Sequence, residues 1–386
     1  MTSVLLVTGL VEGGIGAHVA DLASGLSESG HAVRVAAPPS VITRFGLGQA
    51  ALTVALKVGA RPAPGDLAAV AELRAQMRDV DVVHAHGLRA GTLAVLARQT
   101  LPAGLGRRMR AGKTSSPWPA LVVTSHNAAP ASGATRAIYR ALEAIVLRGA
   151  DEVLVVSPDL HRPKDGSARA KVSLAVVPAP RPTVATSADE VRSSLGICDL
   201  DQLVVSVGRL APQKAHQRFI EAAARCARNG LPPVHALIVG EGPSRDELQA
   251  LIRAKGAPVR LLGRRDDVPD LLAAADLVVS TALWEGQPVW LQESLAVGAA
   301  IVATDVGGTS VVLGDGGELV DASGTDETVA QRVSESMTAL LRDGQARNAL
   351  RARARDRATE LPTRRDAVEA ALVAYGRAAP YKGKST

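Results

Sequence analysis

The chain has 386 residues, more than one hydrophobic core usually holds, and its 47% apolar and 21% charged residues exclude a disordered protein. Aromatic residues make up only 2%, which argues against nucleic-acid binding by base stacking. The net charge of +6 belongs to the first half: residues 1–190 carry 20 Lys/Arg against 14 Asp/Glu, whereas residues 191–386 carry 24 of each, so an anionic surface or substrate would be drawn to the first half.

Short β-branched runs alternate with longer Ala/Leu-rich segments, the pattern of a parallel α/β protein. Val4–Thr8 is predicted as the first strand. It runs into Glu12-Gly13-Gly14-Ile15-Gly16-Ala17-His18 and a helix over Ala17–Ser29. Glycines before a helix N-terminus let backbone N–H groups approach an anionic ligand, although a tight turn needs them too. The spacing is not GxGxxG, and no acid ends the next predicted strand, Ala32–Ala37, so a dinucleotide site is disfavoured.

Further strands are predicted at Asp81–His84, Leu121–Thr124, Val153–Val156 and Leu174–Val177. Histidines follow two of them: His84 and His86 on one, His126 beside Asn127 on the other. Carboxyl ends of parallel strands border the ligand crevice of an open α/β sheet. A single histidine there would read as structural; three shift the balance, with His126 the first choice.

Residues 178–200 open with three prolines in five and hold no strand-like run, as a linker and leading helix would. The same grammar then restarts, with strands predicted at Leu203–Val207, Ala236–Val239, Val259–Leu262, Leu277–Ser280 and Ala300–Ala303, and a helix over Ala215–Asn229. Two Rossmann-like domains follow, 1–182 and 183–363, with a last helix at about 364–380 that could return to the first. Gly208-Arg209-Leu210-Ala211-Pro212-Gln213-Lys214 places Arg and Lys five apart at a strand end, where they could grip a diphosphate. Glu285 and Glu293, eight apart around Gly286-Gln287-Pro288, could accept hydrogen bonds from a polyhydroxylated ligand.

Cys198 and Cys226 show neither disulfide nor zinc spacing, and no cluster with metal-ligand spacing is apparent. Asp79-Val80-Asp81 and Asp199-Leu200-Asp201 precede strands and read as solvated residues, poorly placed for a metal-bound diphosphate. Neither a P-loop nor a Ser-His-Asp elbow is present. Met1–Leu10 lacks the charged start of a leader, and the longest uncharged stretch, Thr114–Thr135, is too polar to span a bilayer, so a cytoplasmic protein is expected.

In combination, the Gly-Gly-x-Gly turn, the GR…K loop at Gly208–Lys214, Val239-Gly240-Glu241-Gly242-Pro243, the E-x7-E pair Glu285–Glu293 and Asp305-Val306-Gly307-Gly308 resemble the retaining glycosyltransferases of family 4. That resemblance covers nearly the whole chain. It implies an α/β GT-B fold of two facing Rossmann-like domains with an interdomain active-site cleft. It also implies a metal-independent hexosyltransferase that moves a sugar from a UDP- or GDP-linked donor to an acceptor hydroxyl with retention, and without a cofactor. By the same resemblance Arg209 and Lys214 neutralise the leaving diphosphate, Glu285 faces the sugar, Glu293 holds the ribose and His126 approaches the sugar from the acceptor side. Gly14, Gly16, Gly208, Glu241, Gly286, Gln287 and Pro288 complete the donor site, and His18, His86 and Asn127 lie toward the acceptor.

Gln213 and Ala215 stand where the family commonly has an acid and a glycine, and Val311 replaces a frequent glutamate. Two alternatives therefore stay open: another nucleotide-sugar enzyme of the 2-epimerase type, and a catalytically weak scaffold that binds a nucleotide sugar. The acceptor domain also carries a basic segment, Arg98–Lys113, with Arg107, Arg108, Arg110 and Lys113. A lipid-linked or anionic acceptor in cell-envelope glycan synthesis, and peripheral contact with the inner face of an anionic membrane, fit that segment as well as a solvated loop does; a small-glycoside acceptor fits the family equally.

Overall fold

The computed structural model describes residues 1–11, 13–59, 62–99, 118–130, 132–160, 170–178 and 181–379. The chain divides into two compact units, residues 1–178 with 362–386, and residues 179–361.

Unit 1 is built on β1 (Ser3–Thr8), β2 (Ala32–Ala37), β3 (Leu52–Ala55), β4 (Val82–His86), β5 (Ala120–Ser125), β6 (Glu152–Val155) and β7 (Lys171–Leu174). They form one parallel sheet in the order β3-β2-β1-β4-β5-β6-β7. The helices are α1 (Gly14–Glu28), α2 (Pro39–Arg44), α3 (Asp66–Gln76), α4 (Leu88–Gln99) and α5 (Gly133–Gly149). Alternate strand residues point to opposite faces: Leu5, Val7, Val83, Ala85, Leu121 and Val123 join Leu73, Leu93, Ala94 and Val146 in one core.

Unit 2 repeats the plan. Its strands are β8 (Gln202–Val207), β9 (Val234–Val239), β10 (Val259–Gly263), β11 (Leu277–Ser280), β12 (Ile301–Thr304) and β13 (Glu318–Val320). All run parallel in the order β10-β9-β8-β11-β12-β13. On one face Val204, Ile238, Val279 and Val302 pack with Phe219 and Ile220 of α7 (His216–Ala227), Ile252 of α8 (Arg245–Lys255) and Val333 and Met337 of α12 (Asp326–Arg342). On the other, Leu203, Val205, Val278 and Ile301 pack with Val191 of α6 (Ala188–Ser194), Leu271 of α9 (Val268–Ala274) and Leu291 and Leu295 of α10 (Val289–Ala296). Leu313 of α11 (Thr309–Leu313) and Ala354 of α13 (Gly344–Glu360) close that face.

The last helix, α14 (Arg364–Ala378), belongs to unit 1, where it contacts α1, β5 and β6. Arg364 bonds Glu28 at 2.6 Å. The bare Cα of Gly25 makes room for Val368, whose methyl would stand 2.5 Å from any Cβ added there. At the far end Arg377 holds the buried Glu152 of β6 through Nε at 2.9 and 3.0 Å, and Nη2 reaches Ser173 at 3.1 Å.

Acidic residues at strand starts do structural work that corrects the reading of the two Asp triplets as solvated. The Asp81 carboxylate accepts from the backbone N–H and hydroxyl of Ser3 at 2.9 and 2.8 Å. Asp151 accepts from Leu121 N–H and Asp276 from Leu203 N–H, both at 2.8 Å, so each aspartate caps the strand beside it. Asp201 accepts from Cys198 N–H and bonds His235. The strand predicted at Leu174–Val177 instead ends at Leu174, and β3 was not predicted, because its residues are largely exposed and carry no buried apolar run.

Candidate functional site

In both sheets the strand order reverses between two neighbours, β1 and β4 in unit 1 and β8 and β11 in unit 2. Loops diverge at the carboxyl ends of such a pair and leave a crevice for ligand. The residues of interest fall there.

In unit 2, β8 ends in Gly208 and Arg209, followed by a short 3-10 turn at Pro212–Lys214 and then α7. Ala215, the hinge between turn and helix, has φ of 47° and is buried. An alanine in this left-handed region costs about 1–2 kcal/mol; it adopts the conformation that a glycine would supply freely. The loop after β11 lies against this turn. Leu283 N–H donates to Gln213 O at 2.8 Å, Gln213 Nε2 donates to Trp284 O at 3.0 Å, and Thr281 Oγ1 donates to Ala215 O at 3.1 Å. An acid in place of Gln213 could not make the second bond when ionised. Across this seam Lys214 Nζ meets Glu285 Oε1 at 2.5 Å, with Glu285 only 5% exposed.

Glycines of the other motifs hold backbones in contact. A Cβ on Gly240 (φ 146°) would fall 2.0 Å from Gly208 O, and one on Gly242 would fall 2.3 Å from Leu210 O. Hydrogen bonds from Gly208 N–H to Val239 O and from Leu210 N–H to Glu241 O, both 2.9 Å, fasten these two turns. The Asp305–Gly308 turn behaves likewise: Gly308 N–H donates to Glu285 O at 3.0 Å, and a Cβ on Gly307 (φ 57°) would sit 1.9 Å from that oxygen. Gly286 and Gln287 continue the loop, half-buried, into Pro288 before α10. Glu293 lies within α10, where burial pushes its carboxyl above the usual range.

In unit 1, His18 of α1, His84 and His86 of β4 and His126 after β5 come together. His84 and His86 share a face because they are two apart on a strand. Their ring centroids are 4.3 Å apart; those of His86 and His126 are 5.5 Å apart and stacked. His86 Nδ1 lies 3.2 Å from His126 Nε2. His18 stands edge-on to both, at 5.5 and 5.9 Å. Burial lowers His18 to about 4; burial and then the neighbouring His18 lower His84 to about 3. His86 and His126 are held well below the ordinary value by burial and then by the other histidines. Neutral rings pack where imidazolium ions could not.

Arg209, Lys214, Glu285 and Gly208 thus share one end of unit 2, and Glu241 joins through its carbonyl while its side chain is exposed. His126 is the outermost bonded member of the unit 1 cluster; His86, 1% exposed, lies in the interior and bonds His126. Asn127 is exposed, and its carbonyl accepts from Tyr139. Gly14 opens α1 in an exposed position, but Gly16 serves packing: a Cβ there would meet the Phe45 ring at 2.2 Å. Thr124 and Tyr375 were not singled out from sequence, and Gln213 only as a departure from the family's acid. The i,i+2 histidine pair was the signal that could have led to Thr124, which pairs with His86 in register. Arg98 is engaged internally, with Asp151 and Gly149 O; Arg107, Arg108, Arg110 and Lys113 lie outside the described residues. Among the described residues no group of three or more His, Cys, Asp or Glu could hold a metal ion. In the same residues no helix is long and apolar enough to cross a membrane.

Residues 187–357 match the family described as glycosyl transferases group 1, and residues 13–180 match the glycosyl transferase 4-like domain. The chain belongs to the group 1 glycosyltransferases. As in other members with the GT-B fold, it is an α/β protein of two parallel-sheet, Rossmann-like domains. Its structure resembles that of Anabaena HepE in complex with UDP-glucose, with a TM-score of 0.75, 20% identity and coverage of 97% of this chain and 99% of that one. Sucrose-phosphate synthase of Thermosynechococcus elongatus gives 0.75 at 17% identity, covering 97% and 98%. In sequence it is 30% identical to the alpha-D-kanosaminyltransferase of Streptomyces kanamyceticus over 188 residues, 47% of this chain and 46% of that protein. It is 35% identical to an Escherichia coli UDP-Gal:alpha-D-GlcNAc-diphosphoundecaprenol alpha-1,3-galactosyltransferase over 112 residues, 28% and 29% of the two. The matched stretch thus spans less than half the length of these curated relatives.

Proposed function

We propose that this group 1 glycosyltransferase moves a hexosyl residue from a UDP- or GDP-linked donor to an acceptor hydroxyl, with retention of configuration and without a metal or other cofactor. The observation that carries the reading is the meeting of Lys214 and Glu285 beside Arg209, at the strand reversal of the unit that matches the family. Cationic side chains in the loop that leads from β8 into α7 suit a diphosphate, because the first-turn N–H groups of α7 add donors and a partial positive charge. Arg209 and Lys214 stabilise the charge that builds on the leaving phosphate. Glu285 then accepts from the sugar hydroxyls, and Glu293 from the ribose. A base is supplied by the departing phosphate oxygen, so no protein nucleophile is needed. Ala215 keeps the backbone conformation of the loop, which favours an active enzyme over a weakened scaffold.

The relatives include enzymes named for transfer of an alpha-D-kanosaminyl group, for D-inositol 3-phosphate and for a diphosphoundecaprenol acceptor. A hydroxylated or phosphorylated acceptor, free or lipid-linked, is the class proposed, with action at the cytoplasmic side of the envelope. The test is nucleoside diphosphate release from a panel of UDP- and GDP-sugars by wild type and Glu285→Ala, with NMR of the product anomer. No release with any donor while nucleotide binding persists rejects the enzyme; an inverted product rejects retention. Sedimentation with anionic liposomes at low salt tests the membrane contact, and absence of binding rejects it.

A further inference from the structure

The C-terminal helix reaches the histidine cluster through Tyr375. The tyrosine is buried, and its hydroxyl lies 2.9 Å from His84 Nδ1, while His84 Nε2 meets Thr124 Oγ1 at 2.7 Å. Both nitrogens of His84 are therefore occupied, and its ring can only pack against His86, tilted by 32°. His86 bonds His126 through Nδ1, and its Nε2 is buried without a hydrogen-bond partner among the described residues.

The proton positions follow from this arrangement. Between two neutral imidazoles one nitrogen carries the hydrogen and the other offers a lone pair. A buried N–H without an acceptor costs more than a bare ring nitrogen, as orphaned N–H groups are rarer than under-used acceptors. His86 therefore keeps its hydrogen on Nδ1 and donates to His126 Nε2. His126, its Nε2 lone pair used, carries its own hydrogen on Nδ1.

The geometry points to Tyr375 as a positioning residue that, through His84 and His86, fixes His126 as the Nδ1–H tautomer. His126 then meets its ligand as a hydrogen-bond donor toward a sugar oxygen, not as an acceptor. This rests on the reading that His126 faces the sugar. The role of Tyr375 is to saturate His84. Without the hydroxyl, His84 is free to turn and bond His86 Nε2, and that bond gives His86 a partner for a hydrogen on either nitrogen. The tautomer of His126 is then no longer fixed.

Long-range proton–nitrogen NMR of the full chain with 15N-labelled histidine reads each tautomer directly. In the wild type, His86 and His126 are expected as Nδ1–H. Tyr375→Phe keeps the ring and its packing, and is expected to turn His126 into a mixture of tautomers. The same variant should lower kcat by about tenfold, the scale of one hydrogen bond, with donor KM unchanged. Thr124→Val removes the other partner of His84 and should shift the same resonances. A wild-type His126 protonated on Nε2 overturns the proposal, as do unchanged tautomers in both variants. If Tyr375→Phe fails to fold, the wild-type spectrum and Thr124→Val decide. Adding UDP-glucose separates the two readings: fixed tautomers with no movement of His126 signals on saturation reject its contact with the sugar, and leave the positioning by Tyr375 standing.

Discussion

Lys214 and Glu285 form a 2.5 Å ion pair across two loops that leave neighbouring strands, β8 and β11. Each is thus the other's counter-ion when no ligand is bound, and a diphosphate must compete with a buried carboxylate for the lysine. Glu285→Gln removes the competitor. Nucleoside diphosphate binding by this variant is expected to hold or tighten, while turnover falls at least about 100-fold, the scale for losing a group that acts in the transition state. Lys214→Ala should weaken the same binding by roughly 1–3 kcal/mol, the range for a charge-assisted contact. Calorimetry on both variants checks the pair; weaker binding in Glu285→Gln would mean that the carboxylate does not compete.

Two glycines should respond in opposite directions. Gly307→Ala forces a Cβ to within 1.9 Å of Glu285 O at a φ of 57°, so the loop that presents Glu285 must move. A loss of about 2 kcal/mol or more is expected from the strain, with reduced donor binding. Gly376 lies inside α14 with nothing within 4 Å of an added Cβ. Gly376→Ala should therefore stabilise the protein by about 0.5–1 kcal/mol. Urea unfolding of both variants measures the two signs.

The neutral histidines impose a pH dependence. Their folded values lie below the ordinary 6.5, so between that value and the folded ones the unfolded chain binds more protons. Stability is expected to be full above pH 6.5 and to fall as pH drops toward about 4, where His18 titrates. His216, lowered to about 4 by burial and then by Lys214, adds to the slope from unit 2. Each fully unbalanced histidine contributes about 1.4 kcal/mol per pH unit. Denaturation midpoints between pH 7.5 and 5 give the slope; a flat profile would show that the cluster accepts protons in the folded state.

Arg377 compensates a carboxylate that is 1% exposed. Arg377→Met leaves the Glu152 carboxyl in the interior without its cation and should cost about 3–5 kcal/mol, whereas the double change with Glu152→Met should recover much of it. Equal stability of the single and double variants would show that the two residues are not coupled.

The strands and the site loops of unit 2 were readable because each motif begins in the loop that follows a Val-rich run. Buried parallel strands are written as continuous apolar segments, and the crevice follows from where they end. What stayed hidden depends on contacts between distant residues. Nothing local marks Tyr375 as the partner of His84, 291 positions away. Gly16 looks like a ligand glycine and is shaped instead by Phe45. The Asp81 carboxylate resembles half of a metal motif but closes on Ser3, a bond set only when β1 and β4 become neighbours.

Because α14 completes unit 1 from the far end of the chain, the two units differ in when they can form during synthesis. Unit 2 is one continuous stretch, residues 179–361, and has all its sequence before the final helix is made. Unit 1 must wait for residues 362–378 to leave the ribosome before Glu152 gains its arginine and His84 its tyrosine. Unit 1 thus begins first and closes last, and a chain released before Arg364 would hold all of unit 2 while its unit 1 lacked α14.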